Sequence, residues 1–152
     1  MRFNPLKATA QVLTCLILVA ITTAHASTPP PPLPNPVLYL VNVEPIAVRG
    51  KALLRYTFAV DNFSAYPDTM FAASPALPPC GTNAKASRTW VDIYDQSGKR
   101  LQGFCALAKA SDLNTIWFAM DADVVPPSWV YLELNDRQTS TKYKSNLADT
   151  VF

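Results

Sequence analysis

From Leu54 to Asp61 the chain alternates: Leu54, Tyr56, Phe58 and Val60 are apolar, and Arg55, Thr57, Ala59 and Asp61 fall between and after them. In an extended backbone successive side chains point to opposite faces. This pattern therefore describes a half-buried strand and cannot be matched to a helix of 3.6-residue period. It recurs along the chain. Val37 to Val43 places Val37, Tyr39, Val41 and Val43 on one face, and Arg88 to Asp95 (RTWVDIYD), Arg100 to Cys105, Thr115 to Met120 (TIWFAM), Trp129 to Asn135 (WVYLELN) and Lys142 to Leu147 follow. Turn residues punctuate these runs: Arg49-Gly50-Lys51, then Gln96-Ser97-Gly98-Lys99 with glycine placed for a positive φ, then Pro126-Pro127. Helical patterning is limited to one turn that Ser111-Asp112-Leu113-Asn114 could cap. About seven short strands joined by turns predict an all-β, two-sheet, immunoglobulin-like sandwich, with a small barrel as the alternative.

The sandwich is expected to occupy residues 37–152, because the start of the chain has another character. Arg2 and Lys7 precede an apolar run from Val12 to Ile21, and Thr22-Thr23-Ala24-His25-Ala26 ends in an Ala-x-Ala cleavage pattern. That is the layout of a signal peptide over residues 1–26. Its core is well short of the ~20 apolar residues that span a bilayer, so no membrane span is expected once it is removed; an uncleaved N-terminal anchor is the alternative. Residues 27–36 carry TPPPPLPNP. Proline fixes φ and lacks an amide donor, so this segment reads as an extended leader of about 25–30 Å. A ligand for a proline-recognition domain is the sharper alternative to a plain spacer.

Removal of residues 1–26 takes away the single histidine, His25, together with Cys15, Arg2 and Lys7. Eleven basic residues then face eleven acidic ones. A neutral, mixed surface does not suit nucleic acid or an anionic membrane, which select basic patches. Cys80 and Cys105 remain and, in an oxidising compartment, are expected to pair. Closing that loop would contribute about 3–4 kcal/mol in the chain-entropy picture.

The missing imidazole removes the Ser-His-Asp and Cys-His relays, and with both cysteines oxidised no thiolate remains. A Ser-Lys pair is not assembled by Lys144-Ser145, whose side chains would face opposite ways in a strand. The aspartates sit mostly at strand ends and turns, where their local hydrogen bonding explains them, and no carboxylate pair is marked out for glycoside hydrolysis. Asp121-Ala122-Asp123 places two carboxylates on a loop and is the one candidate for calcium, though it lacks EF-hand spacing. The chain is therefore expected to be no enzyme and to carry no cofactor or metal.

The segments PPCGTN (78–83), SRTWVDIY (87–94) and GFCAL (103–107) together resemble a family of small exported bacterial β-sandwich proteins. Pro126-Pro127, Tyr131, Asp136-Arg137 and Tyr143-Lys144-Ser145-Asn146 extend the likeness over most of the mature domain. The resemblance implies a bacterial, periplasmic or secreted setting and agrees with pairing of Cys80 and Cys105. It supplies no catalytic residues.

The positive lead is aromatic. Trp90 and Tyr94 share a strand face with Asp92, and Trp129 and Tyr131 share one with Glu133, each opposite aliphatic residues. If the aliphatic faces form the core, Trp90, Tyr94, Trp129 and Tyr131 make an outer surface fit for a protein or glycan partner. The competing expectation is that the long connection from Phe63 to Ser87, rich in proline and pinned by Cys80, lies over these rings. Arg88, Arg100 and Arg137 are expected in cross-strand pairs or in anchoring that connection. The sequence thus predicts an exported, non-enzymatic binding or scaffolding module, with a carbohydrate-binding module using the Trp/Tyr face as the alternative.

Overall fold

A computed structural model describes residues 31–82 and 85–151; the expected signal peptide and the first residues of the leader, 27–30, lie outside them. Among the described residues eight strands form: β1 (Leu38–Val48), β2 (Lys51–Val60), β3 (Thr89–Asp95), β4 (Arg100–Phe104), β5 (Ile116–Asp121), β6 (Trp129–Asp136), β7 (Thr141–Lys144) and the two-residue β8 (Ala148–Asp149). One sheet has the order β1-β2-β5 and the other β4-β3-β6-β7, with β8 also on β6; all pairings are antiparallel. The first, second and fifth strands thus face the third, fourth, sixth and seventh. This is an immunoglobulin-like division with the fourth strand on the second sheet, and two separate sheets replace the barrel alternative.

The amphipathic strands fold as their alternation dictates. Tyr56, Phe58 and Val60 from β2, Val91 and Ile93 from β3, Ile116 and Phe118 from β5, and Val130, Leu132 and Leu134 from β6 are buried between the sheets. Phe118 stacks with both Tyr56 and Phe58, at 4.9 and 5.9 Å between centroids. The β1–β2 hairpin turns through Arg49 and Gly50 at φ of 52° and 78°, the left-handed pair a tight hairpin requires.

In β1 one residue departs from the expected face. A bulge between Leu40 and Asn42 inserts Val41 into the ladder. Before it Leu38 points inward and Tyr39 is 47% exposed, so Val37, Tyr39 and Val41 do share a side, but it is the wet one. The extra residue reverses the phase, and Val43 packs against the core instead. Pro45 lies in the same strand, tolerated because β1 is an edge.

The described part of the connection 63–87 turns inward, and Trp129 on the second sheet's outer face stays 48% exposed. It forms two short 3-10 turns at Phe63–Ala65 and Asp68–Met70 and inserts Tyr66, Met70 and Phe71 into the core. Its return leg is tied to the start of β3 by Arg88 N–H to the Ala72 carbonyl (2.9 Å) and Ser74 N–H to the Ala86 carbonyl (2.9 Å). The one helical turn anticipated at 111–114 is a 3-10 helix, Ala110–Thr115, whose Ala110 N–H donates to Asp68 Oδ1 at 2.9 Å.

The compact unit begins at Pro32, and the last leader residues belong to it. Leu33 packs against the core, Tyr66 donates its hydroxyl to the Pro34 carbonyl (2.7 Å), and the Asn62 side chain donates to the Asn35 carbonyl (2.9 Å). At the opposite end of the chain β7 and β8 lie along the same neighbour, β6, interrupted by residues 145–147. In that interruption the Asn146 side chain turns sideways to β1. It accepts from Leu38 N–H (2.8 Å) and donates to the Leu38 carbonyl (2.9 Å), as a neighbouring strand would.

Candidate functional site

The alternation that buries Val91, Ile93, Leu132 and Leu134 sends the intervening residues of β3 and β6 outward. Register then sets them in rows across the sheet. Trp90 lies opposite Asn135, Asp92 opposite Glu133 and Tyr94 opposite Tyr131, while Lys142 and Lys144 of β7 lie beside Asn135 and Glu133. All four aromatic residues singled out from the sequence stand on this one face, and β8 adds Asp149 beside Trp129.

Tyr94 and Tyr131 stack with centroids 5.2 Å apart and planes 17° from parallel. Rings on adjacent strands at that separation cannot lie flat on the sheet without colliding, so they stand on edge with their faces toward each other. Lys144 Nζ lies 3.9 Å from the Tyr131 ring centroid, and the Arg137 guanidinium lies 4.7 Å from that of Trp90. These are cation–π distances. Trp129 is the most open ring, 48% exposed, with its indole N–H on Asp149 Oδ1 at 2.6 Å. Trp90 is half-buried and its Nε1 is shut off from solvent with no acceptor among the described residues.

The charges are layered. Asp92 and Glu133 lie low, with side chains 14% and 17% exposed, and the longer bases Arg100 and Lys142 reach over them at 57% and 58%. Arg100 Nε bonds Asp92 at 2.6 Å and Lys142 Nζ bonds Glu133 at 2.8 Å. Gly103 makes room for the first pair, since a Cβ there would run into the Arg100 guanidinium and the Asp92 carboxylate. The Glu133 carboxylate holds the Lys142 ammonium above its usual pKa. Burial raises the Tyr94 hydroxyl, helped by the negative charges of Asp92 and Glu133 and opposed by Lys142 and Arg100.

Cys80 and Cys105 form the expected disulfide, with Cα atoms 5.5 Å apart. Of the three arginines considered from the sequence, Arg100 is in a cross-strand pair. Arg88 anchors the connection through its backbone and pairs with Asp136 through its side chain, whereas Arg137 covers Trp90. Asp121 of the calcium candidate is taken up by Lys51 at 2.7 Å, and no cluster of three or more metal-ligand side chains occurs among the described residues. No helix among them is long and apolar enough to cross a membrane.

Sequence reasoning found the rings and missed what sits on them. Lys144 could have been placed by extending the β6–β7 register, but Arg137 lies in the turn after β6, where period-two alternation gives no direction. Comparison of the chain with protein families, curated proteins and solved structures finds no match.

Proposed function

We propose that the chain is an exported, non-enzymatic binding module of the bacterial periplasm or exterior, and that it docks a protein partner on the outer face of the β4-β3-β6-β7 sheet. The observation that carries this reading is the composition of that face: Tyr94, Tyr131, Trp90 and an exposed Trp129 set among paired charges on regular strands. Aromatic anchors framed by polar groups characterise protein interfaces. Export follows from the signal-peptide pattern at residues 1–26, and the absence of histidine beyond residue 25 is consistent with a role in binding rather than catalysis.

A glycan is less well served. Sugars stack on open ring faces, and here Tyr94 and Tyr131 face each other, Lys144 lies on Tyr131 and Arg137 on Trp90.

The test is site-specific photocrosslinking in the native host, with the reactive group at Tyr131 on this face or at Lys51 on the other sheet. A discrete protein adduct from position 131, absent from position 51 and lost when Trp129→Ala is added, is the expected result. No adduct from 131, or quenching of tryptophan emission by soluble neutral glycans at low concentration, would overturn the protein-docking reading.

A further inference from the structure

At the corner of this face where β6 turns into β7, Asn135, Arg137, Ser140 and Lys142 line a cleft of about 320 Å³. Resting on the docking reading above, we propose that this cleft is a carboxylate-binding subsite, occupied by an acidic side chain of the protein partner.

Two observations converge on that ligand. Arg137 is exposed and has no carboxylate partner among the described residues; its guanidinium lies over the Trp90 ring, 4.7 Å from the centroid, with its N–H donors free of a competing acid. The carboxylates nearest in sequence are engaged elsewhere, Glu133 by Lys142 and Asp136 by Arg88 on the core side of β6. Lys142 is 58% exposed above Glu133, so a second carboxylate can approach its ammonium while it stays on Glu133. A carboxylate carries lone pairs for several donors at once and matches the guanidinium fork bidentately.

The charge layering selects the source. Arg100, Arg137, Lys142 and Lys144 form the outermost layer and attract an acidic group, while Asp92, Glu133 and Asp149 beneath and beside them repel a continuous polyanion. A peptide with a local acidic cluster satisfies both conditions better than a polyuronate or a polyphosphate chain.

The experiment is calorimetric titration of the purified protein with a short oligoglutamate peptide, repeated with oligogalacturonate and with inorganic phosphate, while tryptophan emission is followed. Saturable binding of oligoglutamate with a change in emission is expected. Arg137→Gln weakens it roughly tenfold, as expected for loss of a bidentate charge-assisted contact. Lys142→Gln weakens it less, and Lys51→Gln on the other sheet leaves it unchanged. Absence of oligoglutamate binding, equal affinity in Arg137→Gln, or tighter binding of galacturonate or phosphate would overturn the subsite. If oligoglutamate fails while the position-131 adduct persists, only this inference falls; if the adduct is absent, the docking reading falls with it.

Discussion

Asp136 ends β6 with its side chain only 4% exposed and its carboxylate held by four donors. Arg88 supplies two, Nε at 2.9 Å and Nη2 at 2.5 Å, and the Gln138 and Thr139 amides supply the others at 3.0 and 3.4 Å. The Arg88 hydrogen bonds draw the Asp136 pKa down from the ordinary 3.8 to about 2, against the opposing effect of burial. Between those values the unfolded chain binds more protons than the folded one. Stability contributed by this carboxylate is therefore complete above about pH 4 and lost as pH falls through about 2, worth about 2 kcal/mol in all. Asp136→Asn should cost about 2–3 kcal/mol in urea denaturation at pH 7 and much less at pH 2; an equal loss at both would show that the charge is not what holds Arg88. At this scale the sequence offered cross-strand pairing or anchoring of the connection to all three arginines alike, without saying which would do what. Arg88, Arg100 and Arg137 look alike in the sequence, and only the tertiary arrangement gives one a buried carboxylate, one a cross-strand acid and one an indole.

The connection 63–87 works as an element although it has little regular structure. Tyr66, Met70 and Phe71 hold its first half by burial, and its second half is held by backbone hydrogen bonds of Ala86 to Ser74 and of Ser87 to Cys105 and by the disulfide. Replacing both Cys80 and Cys105 with serine removes a link across 25 positions and should lower stability by about 3–4 kcal/mol while leaving the β-sheet circular dichroism intact. Limited proteolysis should then cut between residues 72 and 87; protection equal to the native protein would mean that backbone pairing alone suffices. The length, prolines and cysteine of this segment were visible in the sequence. Its destination was not, because apolar residues without a period indicate that a segment packs and leave open which surface receives it. The same reason explains β1. A bulge has no composition of its own here, so the inversion of phase at Val41 appears only once Leu40 and Asn42 are placed against β2.

For the molecule as a whole, the sheet order follows from strands whose alternation was plain. β2, β3 and β6 each have a strictly amphipathic run and each lies between two neighbours, whereas β1, β4, β5 and β7 occupy edges. Hydrogen exchange should accordingly be slowest in β2, β3 and β6; protection of β1 or β4 at the same level would contradict this layering of stability. The aromatic face was legible for the same reason, since sides of a regular strand can be counted. Its cationic cover was not, because it comes from long side chains that reach in from a turn and from an edge. One consequence concerns the open edge of the first sheet at β1. Open strand margins are templates for uncontrolled growth, and β1 carries a bulge, a proline and the Asn146 amide clasped to Leu38. The clasp imitates a peptide unit with a single side chain, so it occupies a hydrogen-bonding slot without offering a further one. Growth that begins at Leu38 therefore terminates within the same molecule, and a second copy meets an occupied slot at that position.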